Sequence, residues 1–459
     1  MNNIELKQIN VRGCCGPNTN SINQDESVTN KELPIAIIGA GPVGLAAAAH
    51  LADIGERFLI LESGDSVGSN ILNWAHVRLF SPWQYNIDKV AKGLLEKHGW
   101  TSPSLKKLPL GSELIEEYLL PLSKLPEIKP FLLLNTKVNS ISKKGLDKMK
   151  TLNRDKSPFV LYLEENGLSK KIEVRAVIDA TGTWSNPNPI NADSIWTKEE
   201  KELKQHIYYG IPDIQGEHQA RYKGKRIAVV GGGHSAINTI LELSQLNDEV
   251  DITWIMRKKN VADAYGGEEK DALEARGELG SRIHQLVDIG RVKVHTPFLI
   301  HQLTKKNDGI GIIGESNGRE ITLPLVDEII ANTGSRPDFS VLREIRLSID
   351  TATESVEALA SLIDPNLHSC GTVRPHGEEE LRQPEKDFYI VGMKSYGRAP
   401  TFLMATGYEQ VRSIVAYLSG DFVSAKKVEL DLPETGVCSI NLVSQSSSHS
   451  CCRTETSKC

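Results

Sequence analysis

The sequence predicts an α/β protein with two Rossmann-like dinucleotide-binding domains, the second inserted in a discontinuous first. Three observations lead there. A glycine-rich strand-to-helix turn lies near the N-terminus, a second lies about 190 residues downstream, and a buried strand with a long helix returns after it.

Pro34 to Ile38 is a short apolar run, read as a buried parallel strand. Gly39-Ala40-Gly41-Pro42-Val43-Gly44 follows and opens an alanine-rich helix to about Ile54. Gly55 stops that helix, and Arg57 to Leu61 is the next strand. Downstream, Arg226 to Val230 is a strand, Gly231-Gly232-Gly233-His234-Ser235-Ala236 a turn, Ile237 to Leu246 a helix and Val250 to Met256 a strand. Two shorter runs, Ala176 to Asp179 and Glu328 to Ala331, lead into Ala180-Thr181-Gly182 and Asn332-Thr333-Gly334. Phe388 to Val391 is a final strand, then Gly392-Met393-Lys394, then a helix from Thr401 to Leu418. The expected boundaries are a first domain of residues 34–190 and 325–425, a second of 191–324, and tails at 1–33 and 426–459.

The chemistry of the turns follows from their spacing. The first glycine allows the tight turn, the second lets a pyrophosphate approach the backbone, and the third lets helix and strand pack closely. Free N–H groups at the positive helix end then hold the phosphates. An acid at the tip of the second strand accepts from ribose hydroxyls. Here that residue is Glu62, while the matching position of the second unit is Arg257, followed by Lys258. A carboxylate repels a 2′-phosphate and an arginine attracts it. Gly39, Gly41, Pro42, Val43, Gly44 and Glu62 are therefore expected to bind FAD or NAD. Gly231, Gly233, His234, Ser235, Ala236, Arg257 and Lys258 are expected to bind NADPH. Two such sites in one chain imply an electron relay from NADPH to the flavin.

The 459 residues carry 53 Lys and Arg against 59 Asp and Glu, a formal charge of −6, which argues against general nucleic-acid binding. No apolar run approaches the ~20 residues that span a bilayer, so no membrane role is expected. Met1 to Val11 lacks the apolar core of a secretory signal, and the default is a cytoplasmic protein. Seven cysteines, an odd number mostly near the ends, do not form a secreted disulfide framework. No cysteine spacing suits a zinc site, so no metal is expected. The vicinal pairs Cys14-Cys15 and Cys451-Cys452 suit capture of a soft metalloid. Cys370, flanked by His368 and His376, is a candidate thiophilic contact.

These motifs resemble the two-dinucleotide-domain flavoproteins over roughly residues 34–425. That group includes flavin-containing and Baeyer–Villiger monooxygenases and the pyridine-nucleotide disulfide reductases. Between the first unit and Cys370 there is no cysteine, which speaks against a dithiol relay. Ala180-Thr181-Gly182-Thr183-Trp184-Ser185-Asn186-Pro187-Asn188-Pro189 looks like the proline-bearing linker of the monooxygenases, where it serves as a hinge. The segment Tyr208 to His218 departs from the monooxygenase pattern FxGxxxHxxx(W/Y), because no histidine follows its glycines at four residues. Val77 to Trp83, Lys394 to Phe402 and Pro433 to Cys438 look like the flavin monooxygenases found with bacterial arsenic-resistance genes.

The resemblance implies that reduced flavin and O₂ give a C4a-(hydro)peroxide, which oxygenates a small molecule with a soft heteroatom, an arsenical among the candidates. It implies a loop over the flavin carrying Asn73, Trp74 and Arg78, with Asn73, Arg78 and Cys370 as catalytic candidates. Ser63, Val138, Ala180, Thr181, Gly182, Met393, Lys394 and Phe402 complete the expected FAD site. The N-terminus of the Thr401 helix would face the edge of the flavin where negative charge builds. The alternative is a reductase that passes electrons to a thiol, metal or protein acceptor. A third class, a non-enzymatic flavin sensor or metalloid binder, has little use for an NADPH site.

Overall fold

Strand Ile35–Ile38 is completely walled in by apolar neighbours, and its sheet is parallel. The computed structural model describes residues 32–246, 250–271, 273–364, 375–400 and 402–430. All seven cysteines lie outside the described residues, so the pairs Cys14-Cys15 and Cys451-Cys452 and the candidate Cys370 are not placed.

Two five-stranded parallel sheets organise the chain. In the first, Ile35–Ile38 is central, flanked by Phe58–Leu61 and then Leu132–Leu133 on one side, and by Ala176–Asp179 and then Phe388–Ile390 on the other. In the second, Arg226–Val230 is central, flanked by Asp251–Ile255 and then Val292–His295, and by Glu328–Ala331 and then Ile207–Tyr209. Each sheet carries a small antiparallel sheet beside it, residues 136–174 in the first domain and 299–322 in the second. Because Phe388–Ile390 follows the whole second sheet in sequence yet joins the first, the second domain is an insertion.

One boundary is corrected. Glu328–Ala331, placed with the first domain by a return at residue 325, pairs with Arg226–Val230 and Ile207–Tyr209. The apolar residues Ile329 to Ala331 state that the strand is buried but not against which sheet. The return runs through residues 332–338 instead. There the two linkers lie side by side: Asn188 N donates to the Gly334 carbonyl at 2.9 Å, and Thr333 Oγ1 donates to the Asn188 carbonyl at 2.6 Å. Thr183 and Ser335 hydroxyls add a contact at 2.8 Å.

The central strands read as continuous apolar runs because both faces are covered. Ile227 and Val229 enter one core with Ile240, Trp254 and Ile283, while Ala228 and Val230 enter another with Phe298, Ile312 and Ile329. In the first domain, helix Pro42–Asp53 is wholly small or apolar from Val43 to Ala49 and packs beside helix Met404–Ser419. Proline in its first turn is harmless, since that N–H has no intrahelical partner. The latter helix starts at Met404 rather than Thr401, because Leu403 is still extended, with φ −112° and ψ 147°. Gly420, at φ 93°, ends it in the left-handed conformation.

Candidate dinucleotide sites and the cleft between them

Each glycine of the first turn meets a separate demand. Gly39 has φ +99°, and a Cβ there would sit 2.8 Å from the Ala180 carbonyl oxygen. A Cβ on Gly44 would stand 2.0 Å from the Gly39 carbonyl oxygen, so helix and strand close only over a hydrogen. A Cβ on Gly41 would meet nothing within 4 Å. That open side at the start of a helix is the room a pyrophosphate needs.

Glu62 is buried at the tip of the second strand. Its Oε2 accepts from Ala40 N at 2.7 Å and its Oε1 from Gly64 N at 2.8 Å. Ser69 Oγ lies 3.4 Å and Ser63 Oγ 3.5 Å from Oε1. Two backbone N–H groups thus aim the carboxylate at the turn, and the lone pairs left suit ribose hydroxyls. These residues fit a dinucleotide.

Lys394 is tied down inside the protein. Its Nζ lies 2.7 Å from Asp179 Oδ2 and 3.0 Å from Thr181 Oγ1, with both charged side chains 1% exposed. Thr181 Oγ1 donates to Asp179 Oδ1 at 2.7 Å. Lys394 therefore holds the Ala180-Thr181-Gly182 turn in place. Val43, Gly392, Gly407 and Phe402 come together: a Cβ on Gly407 would lie 2.5 Å from Val43 Cγ2 and 2.9 Å from Phe402 Cζ. Gln410 Oε1 fixes Gly392 N at 2.8 Å, next to Met393. Val138 is buried in the antiparallel sheet.

Asn73 and Arg78 are both exposed and locally committed. Asn73 Nδ2 donates to the Ser69 and Asn70 carbonyls of its own short helix, and Arg78 Nη1 donates to the Leu108 carbonyl at 2.7 Å. The loop they share reaches the other domain. The Phe80 ring lies 5.7 Å from His234, the first residue of the second turn's helix, and Trp74 lies 6.3 Å from Trp184 in the linker.

The second turn repeats the geometry with one change. Gly231 has φ +141°, and a Cβ there would come 2.3 Å from the Asn332 carbonyl oxygen. Gly233 is open on its free side, and Ala236 replaces the third glycine, fully buried. Trp254 Nε1 donates to the Gly231 carbonyl at 2.7 Å and braces the turn. Asn332 Nδ2 donates to the Gly210 carbonyl at 2.8 Å, while its Oδ1 is buried with no partner among the described residues. Arg257 is exposed at the tip of its strand, and the Lys258 side chain lies against Gly232. Lys258 Nζ also donates to the Asp263 carbonyl. These residues fit a second dinucleotide.

Burial where the two domains touch depresses two imidazoles. Burial, with Arg276 and Lys258 nearby, pushes His234 down to about 4, against the opposing pull of Asp271. Burial also holds His76 below the ordinary histidine range, despite Asp213 and the Pro212 backbone. Among the described residues, His76 Nε2 and His218 Nδ1 are buried without a hydrogen-bond partner. Sequence reasoning missed Asp179, Phe80, His76, Trp254 and Asn332. Only Trp254, an indole inside a parallel-strand pattern, left a local sign.

Among the described residues no helix is long and apolar enough to cross a membrane, and no group of three His, Cys, Asp or Glu is placed to hold a metal ion. A ferredoxin–NADP reductase of Lactobacillus gasseri is 24% identical over 345 residues, 74% of this chain and 86% of that protein. The bacillithiol disulfide reductase of Bacillus cereus has a similar structure, with a TM-score of 0.63 and 19% identity over 84% of this chain and 98% of that one. The ornithine N-hydroxylase of Kutzneria sp. 744 also shares the fold, with a TM-score of 0.57 and 13% identity over 84% of this chain and 100% of that one. The profile of the pyridine nucleotide-disulphide oxidoreductases matches residues 36–361, and the chain belongs to that family as an FAD- and NAD(P)-dependent oxidoreductase.

Proposed function

We propose that the protein is a cytoplasmic NADPH-dependent flavin monooxygenase that uses O₂ to oxygenate a small molecule with a soft heteroatom, as in the branch found with bacterial arsenic-resistance genes. One observation carries the reading. Two dinucleotide-fitting turns belong to domains joined by a laced double linker, and the loop after the first unit, residues 66–85, contains no cysteine to relay electrons.

In this reading Gly39 to Gly44 and Glu62 hold FAD, and Gly231 to Ala236 with Arg257 hold NADPH. The Lys394–Asp179 pair keeps the Ala180–Gly182 turn against the first site. Phe80, Trp74 and Trp184 narrow the cleft and keep water out. The bound flavin supplies electron storage and oxygen activation. A sulfur or arsenic lone pair is itself the nucleophile and requires no base, which agrees with the local engagement of Asn73 and Arg78.

The similarity to a ferredoxin–NADP reductase favours one other reading, a reductase that sends electrons to a protein or thiol acceptor. Oxygen separates the two. Purified FAD-loaded protein is given NADPH with a trivalent arsenical or a thioether under ¹⁸O₂. Incorporation of one labelled oxygen per NADPH supports the monooxygenase. Equal NADPH turnover with a ferredoxin or disulfide acceptor under argon, with no labelled product under ¹⁸O₂, replaces it by the reductase.

A further inference from the structure

A groove of about 580 Å³ lies in the first domain, along helix Met404–Ser419 and beside the C-terminal end of helix Pro42–Asp53. Ala405, Tyr408, Arg412, Val415 and Ala416 form one wall at three- and four-residue spacing. The segment 84–90 forms another. Key polar groups of the lining already have partners. His50 Nε2 lies 3.1 Å from Asp88 Oδ2, and the Tyr408 hydroxyl donates to the Asn86 carbonyl at 2.7 Å. The groove offers shape and apolar surface rather than an unpaired charge for a small ion.

The described chain ends in this groove. Beyond Gly420 it turns back along helix Met404–Ser419, and Arg412 holds it by donating to the Ser424 carbonyl at 2.9 Å and to the Lys427 carbonyl. Glu429 N then donates to Glu409 Oε1 at 3.2 Å, and Lys89 Nζ to the Glu429 carbonyl at 3.4 Å. As the chain advances from Ser424 to Glu429, its contacts step from Arg412 back to Glu409. It is therefore moving toward the start of the helix, and Glu429 and Leu430 line the groove themselves. Ala405 is one turn beyond Glu409, about 6 Å, which about two extended residues cover.

We propose that the groove is the dock for the chain's own next segment, residues 431–438. The sequence there is Asp431-Leu432-Pro433-Glu434-Thr435-Gly436-Val437-Cys438. Leu432 and Val437 supply apolar side chains for a groove lined by Ile54, Tyr85 and Val415. Pro433 biases Leu432 toward the extended backbone on which the chain enters.

The test uses the full-length protein with p-benzoylphenylalanine in place of Tyr85, irradiated and mapped by peptide mass spectrometry. An intrachain crosslink to residues 431–438 is expected, and Leu432→Asp should reduce it at least about fivefold. A crosslink between two chains, which makes the occupant a second copy, overturns the proposal. So does an absent crosslink to 431–438, or a yield unchanged by Leu432→Asp. Hydrogen exchange reads the same contact without a bulky label. Residues 84–90 should exchange about tenfold faster in Leu432→Asp than in the unmodified chain. Identical exchange also overturns it.

Discussion

Lys394 and Asp179, 215 positions apart in sequence, form an ion pair of 2.7 Å with both side chains 1% exposed. Asp179 ends a central strand and Lys394 follows the strand that joins it. Their pairing fastens the last-arriving part of the first domain to the turn beside the first dinucleotide site. Breaking such a pair leaves a buried charge uncompensated and costs about 3–5 kcal/mol. Lys394→Met should therefore lower the melting temperature and release flavin. The double variant Lys394→Met with Asp179→Asn should recover part of the stability. Thermal melting and flavin retention on a desalting column check this. Wild-type melting in the single variant would remove the pair's assigned role.

Gly41 and Gly44 separate binding from folding. A methyl at Gly41 meets no protein atom within 4 Å, so Gly41→Ala should fold with nearly unchanged stability. The same methyl fills the approach to the phosphates, and flavin affinity should fall about tenfold or more. At Gly44 the methyl stands 2.0 Å from a backbone oxygen, and overpacking of this kind costs about 1–3 kcal/mol or more. Gly44→Ala should lose stability as well as flavin. Flavin titration and melting of the apoproteins distinguish the two effects. Equal behaviour of the two variants would contradict the assignment.

The two βαβ units were legible because each joins a local apolar run to glycines whose roles are set within a few residues. Gly39, Gly44 and Gly231 meet the close contacts their positions imply. The placement of Glu328–Ala331 was not legible, since any buried parallel strand looks alike before its neighbours are known. The same holds for the Lys394–Asp179 pair and for Phe80 against His234. Those contacts arise only when distant segments fold together, and neither partner's immediate sequence announces the other. Asn73 and Arg78 show the converse. Their position after Glu62 suggested chemistry, but nearby carbonyls engage both side chains.

Arg257 sits exposed at the strand tip, where Glu62 sits in the first domain. A charge-assisted hydrogen bond to a 2′-phosphate is worth about 1.5–3 kcal/mol, or ten- to a hundredfold in affinity. Arg257→Ala should lower kcat/KM for NADPH by that factor and leave NADH almost untouched. Steady-state kinetics with both nucleotides, at constant ionic strength, check the difference. A parallel loss with both would make Arg257 a general contact rather than a selector.

Acid should act on the cleft between the domains. His234, pushed down to about 4, and His76, held below the ordinary range, stay neutral in the folded protein where unfolded imidazoles near 6.5 take a proton. Between about 4 and 6.5 the unfolded chain thus binds more protons, so stability rises with pH through that window. The His234 contribution is complete above the unfolded value and is lost as pH falls toward 4. His234→Gln removes this proton difference, and its stability curve should be shallower than wild type by up to about 1.4 kcal/mol per pH unit. Carboxylates titrate in both proteins, so the difference between the curves isolates the imidazole. Because Phe80 contacts His234 from the other domain, opening the cleft also relieves the cost of charging it. Wild type should then expand in X-ray scattering near pH 5 before it unfolds, and the glutamine variant should expand less. Superimposable stability curves for the two proteins would show that His234 is not held neutral by the cleft.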